Sequence, residues 1–317
     1  MKKIFLLIAL CCASVTVSRA QEFVIINPDA RTSAMGDVSA AVTGDAWSIY
    51  GNAAAPLFNN KKVQVQVSYT PWMSAVEKGH ALYSLGGYFN FGKRHTLSIG
   101  GRMYNEPKLA GNEDYPFVPK DEYNEPLAIA VTRPNSKSLD LAYGIRFSDK
   151  VGMAINAGYI HNSNGVGTKT SVVSLGLSLY SSLPVSITDG SKLNIGVTAS
   201  NYGFSFGSGK ASLPLSGKVG ASLYIPMTEM HSIEAALDLG YLYQSKSMNS
   251  FLANVGLEYS LMNCFMVRAG YAYGNYGCVT AGLGVRFAHV QLDASYWFGA
   301  TSCPWRNTFR VGLGVEF

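Results

Sequence analysis

Beyond residue 20 the chain has no run of eighteen apolar residues, so no helix can cross a bilayer. Charge is scarce too: Asp, Glu, Lys and Arg make up 14% of the sequence, against roughly 25% in ordinary soluble domains. Once Lys2, Lys3 and Arg19 are set aside, 22 basic and 20 acidic residues remain, a balance that gives no reason to expect a nucleic-acid partner. Cysteine is rare and odd in number after the first twenty residues. Cys264, Cys278 and Cys303 cannot all pair within one chain, and no His stands in register with them for a metal.

A catalytic constellation is also missing, and the chain is not read as an enzyme. His80, His95, His161, His231 and His289 fall mostly at the ends of alternating segments. Gly207-Ser208-Gly209-Lys210 ends before Ala211, where a phosphate cradle needs Ser or Thr. Gly282-x-Gly284 and Gly312-x-Gly314 lie inside strand patterns with no helix to follow. Asp114 and Asp121 have no partner that would make a protease or lipase pair. No cofactor is expected.

What is present begins with an export signal. Lys2 and Lys3 precede an apolar stretch from Ile4 to Ala13, and Ser18-Arg19-Ala20 puts small residues at −3 and −1 of a cleavage site. Leu10 before Cys11 fits a lipoprotein signal poorly. Residues 1–20 are therefore a signal peptide, 21–61 a separate N-terminal segment, and 62–317 the body of the fold.

From Lys62 onward the dominant period is two. Phe309, Val311, Leu313, Val315 and Phe317 alternate with Arg310, Gly312, Gly314 and Glu316, and the pattern recurs at Phe265–Tyr273 and Ile233–Tyr241. Alternation over about ten residues is how a membrane barrel strand reads, with one face to lipid and one to the lumen. Fourteen such segments begin near Val63, His80, Arg94, Ser138, Val151, Ser171, Lys192, Leu215, Ser232, Ser250, Cys264, Cys278, Val290 and Asn307. Leu127–Thr132 is short, stands next to Pro134 and is assigned to a loop.

Tight turns at Gly92-Lys93, Ser148–Lys150, Leu261-Met262 and Ala288-His289 alternate with longer links at Asn105–Lys137, His161–Thr170, Gly203–Pro214 and Gly299–Arg306. This suits short periplasmic turns and long outer loops. Ser182–Gly190 and Ile225–His231 are longer than the pattern asks. Aromatics mark both ends of the segments: Phe91, Phe147, Tyr180, Tyr224, Tyr259, Phe287 and Phe317 at one level, and Tyr69, Tyr104, Tyr159, Tyr202, Tyr243, Tyr273 and Trp297 at the other. Two girdles at the headgroup levels are expected. Arg310-x-Gly312-x-x-Val315-x-Phe317 resembles the C-terminal strand signal read by the barrel-assembly machinery. The fold class is thus all-β, a transmembrane 14-stranded antiparallel barrel surrounded by outer-membrane lipid.

Residues 21–61 do not alternate and are too few for a core of their own. The interior of a fourteen-stranded barrel offers them a place as a plug. Here the sequence resembles a known family. Asn27-Pro28-Asp29-Ala30-Arg31, Ala34-Met35-Gly36-Asp37, Asp45-Ala46, Tyr50-Gly51-Asn52-Ala53-Ala54 and Val67–Trp72 follow the order of the PorV/PorQ family, FadL-like barrels of Bacteroidetes outer membranes. Where that family usually has Asn-Pro-Ala, this chain has Asn52-Ala53-Ala54, and it is shorter than typical PorV proteins. The resemblance implies work with the type IX secretion machinery, in which exported cargo proteins are received by their C-terminal signal domain for surface attachment. The alternatives are a FadL-like transporter of a hydrophobic ligand through a kinked wall, and a structural barrel in an envelope complex.

The expected site is the plug motif Asn27, Pro28, Asp29, Ala30, Arg31, Gly36, Asp37 and Asn52 against lumen charges. Those are Asp140, Arg146, Glu234, Asp238, Glu258, Arg268, Arg286, Asp293, Arg310 and Glu316, read as ion pairs rather than as a solute path. Asp29, Asp37 and Asp45 are expected to meet lumen charges such as Arg146, Arg268 and Arg286, and Arg31 a lumen carboxylate such as Asp238. The loop Asn105–Lys137 interleaves Glu106, Glu113, Asp114, Asp121, Glu122 and Glu125 with Tyr115, Phe117 and Tyr123, a composition suited to protein binding or to plain solvation. Cys278 and Cys303 are expected near each other at the outer rim.

Overall fold

The computed structural model describes residues 22–107, 133–163, 169–206, 212–243, 250–301 and 303–317. Residues 1–21, where the export signal is expected, Leu127–Thr132, the interior of the acidic loop and Gly207–Lys210 lie outside the described residues. Fourteen antiparallel strands close into a barrel. They are β1 (Val63–Pro71), β2 (Ala81–Phe91), β3 (His95–Asn105), β4 (Asn135–Arg146), β5 (Val151–Ser163), β6 (Lys169–Pro184) and β7 (Lys192–Phe206), then β8 (Leu215–Pro226), β9 (His231–Tyr243), β10 (Ser250–Leu261), β11 (Phe265–Tyr273), β12 (Gly277–Phe287), β13 (Val290–Gly299) and β14 (Phe309–Glu316). Each strand begins within three residues of its expected start. Each pairs with its sequence neighbours, and β1 closes on β14 from Gln64↔Glu316 to Tyr69↔Val311.

Closure leaves no long sheet edge, which lipid would not tolerate. The period of two then sorts the side chains. On β14 Phe309, Val311, Leu313 and Val315 are exposed outward, while Arg310 and Glu316 are buried inward. Among the described residues the wall departs from regular pairing at one register shift, between Leu175 and Leu177 where β6 meets β7. Asn201 there has φ +67°, and β7 pairs with β8 only as far as Ser200↔Ser216. Strand β3 pairs without interruption on both sides, so no kink opens the wall along it.

The two long turns are shorter than the sequence suggests. β6 runs on to Pro184 and β8 to Pro226, so strand takes up part of each link. The aromatic levels also need correction. Tyr180 and Trp297 are buried inside, and Tyr104 points inward to stack on Phe23 with centroids 6.2 Å apart. Tyr224 pairs with the inward Glu234 and shares its face. These four share the parity of lumen residues, so depth along the strand does not make them girdle residues. Phe91, Phe147, Phe287 and Phe317 at one end, and Tyr159, Tyr202 and Tyr273 at the other, do face outward.

The N-terminal segment is irregular: single turns at Glu22–Ile25, Ser48–Tyr50 and Ala55–Phe58, and one short helix, α1 (Ala30–Ala34). Most of it is buried, with Ala34, Met35, Val38, Ala40, Ala41 and Ala54 wholly enclosed. Its partners are inward-facing residues from strands all round the wall, so it lies in the lumen.

Candidate functional site: the barrel lumen

Asp29 starts the construction. Its carboxylate caps α1, accepting from the backbone N–H of Arg31 (2.8 Å) and Thr32 (2.9 Å). Burial raises the Asp29 pKa, and the bonds from Thr32 oppose that rise. Asn27 ties the entry to the exit of this turn: its amide donates to Thr32 Oγ1 (2.9 Å) and Asp37 Oδ1 (2.6 Å), and its Oδ1 accepts from Asp29 N–H (2.9 Å). Pro28 and Ala30 are buried in the same turn.

Capping Asp29 on the helix aims Arg31 at the wall. Its Nη2 meets Glu234 Oε2 at 2.6 Å, its Nε meets Glu258 Oε2 at 2.9 Å, and Asp45 Oδ2 lies 3.6 Å from Nη1. Burial works against the charge of Arg31, but Glu258 and Glu234 hold its pKa well above the ordinary value. Burial pushes Asp45 up to about 7, with the nearby charge of Asp29 acting in the same sense and Arg31 against it. Arg268 extends the network by bonding Glu258 (2.6 Å) and Asp293 (2.7 Å).

Arg31 thus pairs with two lumen carboxylates, Glu234 and Glu258, while among the described residues no carboxylate of the segment lies within ion-pair distance of Arg146, Arg268 or Arg286. Asp238 does not meet Arg31; it accepts from the backbone N–H of Ser39 (2.6 Å) and Ala40 (2.9 Å). Asp29 and Asp37 bond within their own segment. Arg146 turns to Asp149 at the turn-bearing end (3.0 Å), and Arg286 meets Gln291 (2.8 Å) and Glu316 (3.5 Å). A segment carboxylate does find an arginine, but it is Asp45 with Arg31 of the same segment.

Close approach of backbone needs glycine at one place above all. Gly36 has φ +71°, and a Cβ there would collide with the carbonyl oxygens of Val255 and Tyr271. Its N–H donates to Thr280 Oγ1 (2.9 Å), whose hydroxyl donates to Ala34 O (2.8 Å). Asn52 performs the same service across the lumen, its amide bonding Ala40 O (2.7 Å) and Leu179 O (2.8 Å).

Sequence parity alone could have added Arg102, which shares its face with Thr96 and Ser98 on β3. Its guanidinium covers the Tyr50 ring at 4.2 Å, donates to Val24 O (2.9 Å), and lies 3.7 Å from Asp140. Tyr50 OH in turn donates to Asp140 (3.1 Å). Arg310 is also a lumen residue. Fully buried, it donates to Asn27 O (2.9 Å) and Ser33 Oγ (2.7 Å) and lies between the rings of Trp72 (5.5 Å) and Trp297 (4.9 Å). Gly312 faces Ala30 at a distance where an added Cβ would make only ordinary contact, while Val315 and Phe317 face outward.

Above the segment, on the loop-bearing side, lies a cavity of 240 Å³ reached by Val24, Ile26, Trp72, Tyr276, Trp305 and Arg310. Trp72 stacks on Trp305 at 6.0 Å, and Tyr276 meets Trp305 edge-on at 5.5 Å. Aromatic rings line the cavity at the loop-bearing side, and its deeper wall is polar, with Asp29, Asp37, Asp45, Lys218 and Arg310. Cys278 and Cys303 lie beside it, buried, with their sulfurs 3.0 Å apart. Among the described residues no group of three His, Cys, Asp or Glu side chains is placed to hold a metal.

Solved structures share this architecture. The toluene transporter TodX of P. putida gives a TM-score of 0.53 at 13% identity, covering 90% of this chain and 97% of its own. The toluene transporter TbuX of Ralstonia pickettii gives 0.51 at 11%, covering 92% and 97%. The monoaromatic hydrocarbon channel CymD gives 0.51 at 10%, covering 94% and 97%. At these identities the likeness is one of fold alone. Comparison with curated proteins gives no match. The model of the type IX secretion system protein PorV matches residues 13–189, which spans the whole N-terminal segment and β1 to β6 and is more than half of the chain. On that match the chain belongs to the PorV family of type IX secretion system proteins.

Proposed function

We propose that this outer-membrane barrel binds exported cargo proteins at its loop-bearing end for type IX secretion and surface attachment, and does not conduct solutes. The observation that carries the reading is the lumen segment within the family match. Residues 22–61 act as a plug, tied to β9, β10 and β12 by buried charge and hydrogen bonds. A lumen held this way directs binding to the outer rim, where the acidic and aromatic loop between β3 and β4 emerges. The partners are the cargo's C-terminal domain and subunits of the secretion complex, in a Bacteroidetes-like outer membrane. Arg310, Gly312, Val315 and Phe317 serve assembly of the barrel as its last strand.

The test is affinity capture of the intact protein from native outer membranes. Co-purified secreted proteins that share a C-terminal domain support the reading; a bound lipid or small apolar molecule without such proteins overturns it. A second reading, uptake of a hydrophobic ligand, is favoured by one observation, the aromatic cavity between Trp72, Tyr276 and Trp305.

A further inference from the structure

The outward wall of the barrel is almost free of charge, and its exceptions fall in one place. Among the described strand residues on the outward face, the only Asp, Glu, Lys or Arg are Lys137 on β4 and Lys169 on β6. Strand β5 runs between them and presents His161 at the same level. Lys137 is the register partner of His161, His161 of Ser171, and Ser163 of Lys169. Ser171 Oγ sits between two neighbours, 2.9 Å from Tyr159 OH and 3.1 Å from His161 Nδ1. Among the described residues no carboxylate lies within ion-pair distance of either lysine.

All of these groups lie at the loop-bearing end, where β4 and β6 begin and β5 ends. Short turns mark the periplasmic side of such barrels, so this is the level of the outer-leaflet headgroups. A charge on a lipid-facing wall is tolerated near the interface, so lysines could stand anywhere round the rim. Here both stand two strands apart, with a histidine between. Lys137 also lines an apolar groove of 690 Å³ on the outer wall, formed with Val67, Tyr69, Leu85, Gly101 and Val311.

We propose that this face binds a phosphorylated lipid of the outer leaflet, with an acyl chain along the groove and the phosphate held between Lys137, His161 and Lys169. Charge complementarity selects this occupant. Among the described residues no carboxylate offsets these cations, so a neutral lipid would add nothing to compensate them, and an acidic polypeptide would leave unused a groove that opens on hydrocarbon. The site is independent of what the lumen or the loops bind.

Native mass spectrometry of the full barrel, released from nanodiscs of equal phosphatidylcholine and phosphatidic acid, tests the site. The expected result is one retained phosphatidic acid in preference to phosphatidylcholine. Lys137→Gln with Lys169→Gln should cut that preference about tenfold, while Lys62→Gln with Lys150→Gln at the opposite rim should leave it unchanged. Heat-modifiable migration on gels verifies that each variant is folded. Equal retention of the two lipids, a preference that survives the Lys137/Lys169 change, or one lost equally in the Lys62/Lys150 control would overturn the proposal.

Discussion

Arg31 and Arg268 bond the same carboxylate oxygen, Glu258 Oε2, from opposite sides of the segment–wall boundary, at 2.9 and 2.6 Å. One guanidinium belongs to the lumen segment and the other to β11, so a single wall carboxylate joins them. Removing either leaves the rest of a buried network short of charge.

Arg31→Ala is therefore expected to destabilise the folded barrel by about 3–5 kcal/mol, because among the described residues Glu234 would lose the one arginine it pairs with and Glu258 one of two. Urea midpoints of the heat-modifiable folded form measure this. A change below about 1 kcal/mol would mean that water already solvates these carboxylates. In planar bilayers the same variant should show raised conductance.

Gly36→Val should release the segment without altering any charge. The new Cβ collides with backbone oxygens of β10 and β11 that cannot give way. The expected outcome is a barrel of ordinary heat-modifiability whose residues 22–61 become open to protease from the lumen. Unchanged protease resistance would place the close contact elsewhere.

Leu313→Lys puts a charge on the outward face near the middle of β14 and should cost about 2–4 kcal/mol. Gly314 next to it faces inward, so a Lys there tests lumen space instead of lipid. The two variants should differ in kind: reduced membrane stability for the first, a displaced Gln66 side chain for the second.

Cys278 and Cys303, with sulfurs 3.0 Å apart, should join when an envelope thiol oxidase accepts the two electrons and two protons released. Alkylation after denaturation should then find, beyond residue 20, one thiol, Cys264, in place of three. The bond would close a loop of moderate length and add about 3 kcal/mol. Three alkylated thiols in protein taken from native membranes would sink this expectation.

The strands were legible because period two is local: Phe309 to Phe317 declares its two faces without help from the rest of the chain. Face was legible at Tyr180 and Trp297 too, since parity with Ser178 and Ser295 puts both inside, but position along the strand drew attention first. The choice of partner for Arg31 was not legible. Glu234, Asp238 and Glu258 all face the lumen, and only the path of the segment across the wall decides which of them the guanidinium reaches. Arg102 was within reach of a parity count. Its cover over Tyr50 was not, because that contact spans elements far apart in sequence.

The lumen segment is made first and satisfied late. Its hydrogen bonds reach Glu234, Glu258 and Thr280, more than two hundred residues downstream. Contacts of such long range slow folding, since the chain entropy must be lost before they form. Until β9 to β12 are in place, Arg31 has no carboxylate but Asp45, and the segment must remain soluble through insertion of the strands that follow it. Its short helix and its abundance of small residues suit that wait, because alone they hold too little apolar surface to collapse early.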